Sequence, residues 1–169
     1  MLNKRGYTIE KGFTLIELLI VVSIIGILAG VTLNILNSNQ IRMRPRDSQR
    51  VSDLGKLQTA LELYFADTRR YPVLSSWTAV NNTTLAVLRT GSYISTIPTD
   101  PSGATGATPC SGGNFYSYRT NAAGSLYVLT ARTELADTAN RSACANLSNW
   151  STLGGCAPAA GSCYGVQNP

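Results

Sequence analysis

The hydrophobic positions divide the chain into two parts with different patterns. From Phe13 to Leu36 nearly all of the 24 residues are apolar. This predicts a helix of about 36 Å, enough for a bilayer core of about 30 Å. Beyond Pro45, apolar residues recur at three- and four-residue spacing, which predicts an amphipathic helix. These positions are Val51, Leu54, Leu57, Leu61, Tyr64 and Phe65. Together the patterns predict one long helix from Phe13 to Ala66, interrupted or bent at Pro45, because proline lacks the amide hydrogen.

The second half of the chain has the signals of a small antiparallel sheet. Segments 115–119 and 126–132 are aromatic and β-branched, and the turn residues 120–124 between them predict a hairpin. Residues 164–166 can add a short strand, and residues 84–89 predict a short helix. Helix first and sheet afterwards predict an α+β fold, with a long N-terminal helix packed on a small antiparallel β-sheet head.

Composition indicates one modest domain on an anchor and argues against an enzyme. Charged residues make up 14% of the chain and histidine is absent. Without histidine, a Ser–His or Cys–His nucleophile cannot form, and the few carboxylates show no clustered pair. We therefore expect neither catalysis nor a cofactor. The net charge of +5 is too mild to indicate nucleic-acid binding by itself.

The apolar run carries one charge, Glu17, close to its start. An ionised side chain in hydrocarbon costs about 2.5 to 3.5 kcal/mol at the helix centre and less near the interface, so Glu17 needs a partner. The run GFTLIELLIVVSIIGILA closely resembles the N-terminal signature of type IV pilins and type II secretion pseudopilins. The resemblance implies that a cytoplasmic prepilin peptidase cuts between Gly12 and Phe13 and methylates the new amino group of Phe13. It also implies that Glu17 offsets the amine of a neighbouring subunit during filament assembly.

The resemblance also implies how the chain is organised and where it resides. Residues 1–12 are a leader peptide, 13–36 a transmembrane and filament-core helix, and 37–169 the globular head with the second half of the long helix. The protein is expected in the cytoplasmic membrane, as a single pass with a cytoplasmic N-terminus, and on the cell surface after assembly. The arginines just beyond the span, at 42, 44, 46 and 50, do not favour this orientation by the positive-inside rule. We give more weight to the processing signature, because long domains translocate largely regardless of charge.

Four cysteines in the last third of the chain predict two disulfides in an oxidising compartment. They are Cys110, Cys144, Cys156 and Cys163. A zinc site is disfavoured, since no Cys-x-x-Cys pair and no histidine are present. Three connectivities are open. We prefer Cys110 with Cys144 and Cys156 with Cys163, because a hairpin between the first two would bring their flanks together.

Three further features are candidates for function. Major pseudopilins bind calcium near this hairpin, and Asp100 is the only carboxylate between Asp67 and Glu134. One carboxylate is few for an ion that takes six to eight oxygens, so a proline-bounded turn is the alternative. The arginines at 42, 44, 46 and 50, with Arg69 and Arg70, can contact DNA phosphates in a DNA-uptake pilin. Alternatively, they pair with Asp47, Asp53 and neighbouring subunits along the filament, or remain solvated. The tyrosines and tryptophans can form an adhesive surface or pack in the core.

We therefore expect a structural subunit of a type IV pilus, assembled from the membrane into an extracellular filament for adhesion, twitching motility or DNA uptake. Its partners are further copies of the chain, the prepilin peptidase and the inner-membrane assembly machinery. One alternative is a pseudopilin of a type II secretion system. A second is a membrane-tethered binding module that does not polymerise.

Overall fold

The computed structural model describes residues 12–36, 39–104, 106, 109, 115–140, 142–155 and 163–169. They form two compact units, and the boundary between the units lies after Asn39. The first unit contains a single helix. The second contains a longer helix, a four-stranded sheet and several short helices.

Helix α1 spans Leu15–Leu36 and forms the first unit. It is apolar on every side, and its side chains are exposed as far as Thr32. The stretch Leu15–Thr32 has a mean hydropathy of 2.6, long and apolar enough to cross a membrane. The hydroxyls of Ser23 and Thr32 donate to the backbone carbonyl one turn earlier, at 2.7 and 2.9 Å. These hydroxyl groups therefore cost little in hydrocarbon, because their hydrogen bonds are made inside the helix.

Helix α2 spans Asn39–Thr68 and begins the second unit. Pro45 lies inside this helix, so the helix is not interrupted at that residue; the alternative, a bend at Pro45, stays a prediction. The proline removes one backbone hydrogen bond. The loss is offset because side chains directly after it bond to distant parts of the head, and because α2 buries an apolar stripe. Leu54, Leu57 and Leu61 of that stripe are fully buried.

The sheet contains four antiparallel strands in the order β1-β2-β3-β4. The strands are β1 (Thr78–Ala79), β2 (Tyr116–Thr120), β3 (Tyr127–Arg132) and β4 (Cys163–Gln167). The short helices are α3 (Ala86–Thr90), α4 (Ala136–Asn140), a 3-10 turn (Cys144–Asn146) and α5 (Ser148–Thr152). The β2–β3 hairpin and the α+β fold confirm the prediction. Strand β1 and the short helices after β3 were not predicted.

Each face of the sheet packs against a different cluster of apolar side chains. Tyr127 and Leu129 of β3 belong to the cluster that includes the buried stripe of α2. Val128 lies between them and points to the opposite face, because successive strand residues alternate. There it packs in a smaller cluster with Trp150 and Leu153 of the C-terminal region. The C-terminal region thus covers the face of the sheet that α2 leaves free.

A disulfide joins Cys144 to Cys163, with 5.5 Å between their Cα atoms. The preferred pairing is therefore wrong in both of its bonds. The reason is the position of β4, which pairs with β3 and places Tyr164 opposite Ala143 in an isolated bridge. That bridge aligns the two neighbouring cysteines. Cys110 and Cys156 lie outside the described residues.

Candidate functional site: the assembly segment and an ion cluster

The segment before α1 carries the predicted processing position. Gly12 and Phe13 precede the helix, and Phe13 is 83% exposed. The hydroxyl oxygen of Thr14 accepts the backbone N–H of Glu17 at 3.3 Å. Thr14 and Glu17 thus occupy the first and last positions of an S/T-x-x-E helix cap. The arrangement places the carboxylate in the first turn of α1, where the helix dipole favours negative charge.

Glu17 has no cationic partner among the residues that the structure describes. No ion pair involving Glu17 occurs in the part of the chain that the structure describes. The rest of α1 contains no charged residue that could serve. The helix dipole supplies only a partial positive charge. The described residues therefore supply no full counter-charge for Glu17.

The head, by contrast, contains a buried cation with three carboxylate partners. Arg50 of α2 is fully buried. Its Nε and Nη2 donate to the two carboxylate oxygens of Asp100, at 2.7 and 2.9 Å. Its Nη1 donates to Asp47 at 2.6 Å and to Glu134 at 2.8 Å. Bidentate and charge-assisted bonds of this kind are the strong ones among protein hydrogen bonds.

This ion cluster ties two distant loops to the beginning of α2. The carboxylate of Asp47 also accepts the backbone N–H groups of Glu134 and Leu135, at 3.0 and 2.9 Å. Oδ1 of Asp100 accepts the backbone N–H of Ser102 at 2.8 Å. The segments around Asp100 and after β3 are therefore fixed against the same turn of the helix.

The ion cluster also sets the protonation of its acids. Burial alone would raise the pKa of Asp100, but the hydrogen bonds from Arg50 and Ser102 outweigh it and hold the pKa below its usual value. Glu134 behaves in the same way: burial opposes ionisation, and the bonds from Arg46 and Arg50 lower its pKa. Both carboxyl groups are therefore ionised at neutral pH.

Asp100 acts here as the partner of Arg50. Its two oxygens accept four side-chain and backbone donors, from Arg50 and Ser102. Among the described residues, no group of three or more His, Cys, Asp or Glu side chains is arranged to hold a metal ion. The calcium hypothesis for Asp100 has no support in this geometry.

Sequence reasoning missed the burial of Arg50 and its pairing with Asp100 and Glu134, although a signal for the burial exists. Arg50 precedes Leu54, Leu57 and Leu61 by four, seven and eleven residues. It therefore lies on the apolar face of α2, and a charge on a buried face must be paired. The identity of the partners cannot be read in this way, since Asp100 and Glu134 are 50 and 84 residues away.

The four arginines beyond the span fall into two pairs. Arg50 is buried, and Arg46 donates from Nε to Glu134 at 2.8 Å. Arg42 and Arg44 are exposed, and neither forms an ion pair with any described residue. The predicted pairing with Asp47 is confirmed for Arg50 alone.

The other predicted partner, Asp53, has different contacts. It accepts from Gln49 and Lys56 of its own helix at 2.8 and 2.9 Å. The hydroxyl of Tyr116 also donates to Asp53, at 3.0 Å.

Most of the buried aromatic side chains belong to the core, as predicted. They are Tyr71, Tyr116, Tyr118, Tyr127 and Trp150.

Comparison with known proteins identifies the family. Residues 7–33 match the model of the prokaryotic N-terminal methylation motif. The type II secretion system core protein G of Aeromonas hydrophila is 38% identical over 101 residues, which cover 56% of this chain and 68% of that protein. Its namesake in Escherichia coli K12 is 35% identical over 101 residues, with the same coverage. The chain belongs to the pilin and pseudopilin family.

A relative with a different name matches a shorter stretch. The type IV major pilin protein PilA of Myxococcus xanthus is 44% identical over 62 residues, which are 37% of this chain and 27% of that protein. No solved structure gives a significant match. Membership of the family implies a structural protein, processed by a prepilin peptidase, that is anchored in a membrane and forms multimers.

Proposed function

We propose that this protein is a polymerising pseudopilin, anchored in the cytoplasmic membrane by α1 and assembled into the pseudopilus of a type II secretion system. The observation that carries the proposal is the similarity to type II secretion core protein G. The alignment covers 101 residues and 68% of those relatives, so it extends well beyond the anchor into the head. This replaces the surface pilus as the leading hypothesis.

Processing prepares the chain for this role. Cleavage between Gly12 and Phe13 removes the leader but leaves α1 in place as the anchor. The new amine of Phe13, which carries the methyl group, then stands at the start of α1. It is the one positive group that this apolar segment provides.

Helix α1 supports polymerisation because nothing in its own unit covers it. A helix that is apolar all round is stable in lipid and equally in a bundle of similar helices. Glu17 is the exception, since its charge is unpaired in the described chain. The amine of Phe13 in an adjacent copy supplies the counter-charge in a low-dielectric bundle. The amine of the same chain lies about one turn away and competes.

The head supplies the outer surface of the polymer. Its fold is self-contained, because the ion cluster around Arg50 and the Cys144–Cys163 disulfide fix its loops internally. A head with fixed loops presents the same surface in every subunit, which a helical polymer requires.

Complementation of a gene deletion tests this function. Loss of the gene should trap secreted enzymes inside the cell envelope. The wild-type gene should restore their release into the medium, and Glu17→Val should not. The proposal would be contradicted if the deleted strain accumulated no more cell-associated enzyme than the parental strain.

A surface type IV pilus is the second candidate, and the 44% identity to PilA favours it. The same strains separate the two functions. Shearing the cells should release filaments of this protein if it is a pilin. If it is a pseudopilin, the sheared fraction should lack it at normal expression while secretion depends on it.

A further inference from the structure

Two exposed arginines at the beginning of α2, Arg42 and Arg44, have no function inside the head. Both side chains are exposed. In the described ranges neither contributes to an ion pair, whereas Arg46 and Arg50 both do.

The position of Arg42 in α2 is unfavourable for its charge. The first turn of this helix contains no acidic residue. A cation near a helix N-terminus is disfavoured by the helix dipole, which carries partial positive charge there. Arg42 lies in that first turn, so its charge opposes the dipole and is expected to serve a contact outside the chain.

Their place in the sequence brings them close to the membrane surface. Arg42 and Arg44 follow the end of α1, at Leu36, by six and eight residues. Even a fully extended segment of that length spans only about 20 to 30 Å, and a helical one about 9 to 12 Å. Ile41 beside them is 47% exposed. An exposed apolar side chain beside basic ones suits the membrane interface, where apolar groups enter the acyl boundary and cations meet anionic headgroups.

The available acids favour lipid phosphates over a second copy of the chain as the partner. Asp47, Asp53 and Asp100 are buried. Glu62 accepts the hydroxyls of two core tyrosines, and Glu134 is held by two arginines. Of the other acids whose side chains the structure describes in the head, Asp67 is exposed and accepts the hydroxyl of Tyr93. Among those residues the head therefore offers a neighbour one exposed acidic side chain, whereas an anionic bilayer offers many phosphate groups.

We propose that Arg42 and Arg44 bind the phosphate groups of anionic phospholipids at the outer face of the cytoplasmic membrane and hold the unassembled subunit there. The guanidinium fork suits phosphate oxygens, which it contacts in pairs. This inference rests on the membrane anchoring in the proposed function, and it holds for a pilin and a pseudopilin alike.

Lipid retention by the mature full-length protein tests the proposal. The protein is purified in detergent, titrated with phosphatidylglycerol or phosphatidylcholine, and examined by native mass spectrometry. We expect preferential retention of phosphatidylglycerol. Arg42→Gln with Arg44→Gln should weaken that retention by about fivefold per arginine, and added salt should weaken it in the wild type.

The matched control is Arg69→Gln with Arg70→Gln. These arginines are also exposed and carry the same charge, but they follow the far end of α2, at Thr68. About 25 residues of helix correspond to almost 40 Å, several times the distance over which salt screens charge. The control should retain phosphatidylglycerol as the wild type does.

Three results would overturn the inference. The Arg42 and Arg44 variant could retain phosphatidylglycerol as tightly as the wild type, or the control could lose as much as that variant. The Arg42 and Arg44 variant could also keep its lipid while losing the ability to polymerise, which would assign the arginines to a second copy of the chain. Failure of the wild type to insert into vesicles, measured separately by carbonate extraction, would instead refute the anchoring itself.

Discussion

Helices α1 and α2 differ in whether the chain supplies partners for their charged side chains. Helix α2 buries Arg50, and the chain itself supplies three carboxylates for it. Helix α1 carries Glu17, for which the described chain supplies no cation. A buried charge needs a partner wherever it lies. We therefore expect the head to fold as an independent unit, and α1 to need a cation that the described residues do not supply.

The sharpest test of this contrast is Glu17→Val. The substitution makes the span more hydrophobic, so membrane insertion and processing should remain largely intact. Filament formation should be abolished or strongly reduced in cells that express only the mutant, because the docking charge is gone. Polymer is measured by electron microscopy of membrane and sheared fractions, and processing by intact mass.

The control is Glu17→Asp, which keeps the charge on a shorter side chain and should be partly tolerated. A normal amount of polymer in cells that express Glu17→Val would contradict the proposed electrostatic role of this residue. An intact mass that still includes residues 1–12, in cells with an active prepilin peptidase, would contradict the predicted cleavage, and the role of Glu17 depends on that cleavage.

In the head, removal of Arg50 should have the largest effect on stability. Arg50→Met leaves three carboxylates without their common cation, and breaking one side of a buried ion pair costs about 3 to 5 kcal/mol. Chemical denaturation of the mature protein in detergent measures the loss. Arg44→Gln removes the same charge from an exposed side chain and should change the free energy of unfolding little. Equal effects in the two variants would contradict the assignment of Arg50.

The patterns that predicted structure correctly are local ones. The spacing of Leu54, Leu57 and Leu61 was sufficient to identify the buried face of α2, because helix periodicity depends only on near neighbours. The β2–β3 hairpin was found for the same reason: its strands are separated by a short turn. Glu17 was recognised as a candidate because a single charge in an apolar run is conspicuous without any knowledge of the fold.

Features that depend on distant segments were missed. The bond between Cys144 and Cys163 follows from the pairing of β4 with β3, and four spaced cysteines contain no information about that pairing. The partners of Arg50 are brought to it by two loops, at Asp100 and Glu134, whose paths are set by tertiary packing. An interruption of the helix at Pro45 was predicted wrongly, because helix propensity is a weak guide where packing and ion pairs hold a helix together.

The disulfide of the C-terminal region should contribute less than Arg50. Cys144→Ser with Cys163→Ser opens a loop of 19 residues and should lower the free energy of unfolding by about 2 to 4 kcal/mol. Thermal unfolding of the variant and of the wild type measures the loss. Unchanged stability would show that the cluster around Trp150 holds this region without the bond.

The predicted second disulfide has one remaining arrangement within the chain, Cys110 with Cys156. Mass spectrometry of the proteolysed, unreduced protein should detect a crosslinked peptide that contains both residues. Free thiols at both positions, in protein purified from its native location, would contradict the prediction of two disulfides.

Acid should weaken the ion cluster around Arg50. The pKa values of Asp100 and Glu134 are lower in the folded state than in the unfolded one. Their contribution to stability is therefore complete above the unfolded-state pKa, at about pH 4, and is lost as the pH falls through the folded-state values. The melting temperature should decline below about pH 4. Glu134→Gln should make that decline shallower, and an identical profile in the variant would exclude Glu134 as a contributor.

The smallest effect should come from Arg46, which shares Glu134 with Arg50. The side chain of Arg46 is 38% exposed, whereas that of Arg50 is fully buried. Water and salt screen the exposed guanidinium of Arg46, and holding it in place costs side-chain entropy, so its bidentate pair with Glu134 should contribute less than the pairs of Arg50. Arg46→Gln should therefore unfold at nearly the same denaturant concentration as the wild type, with any difference vanishing at high salt. A loss approaching that of Arg50→Met would mean that burial does not separate the two arginines, and that the ion cluster acts as one unit extending to the surface.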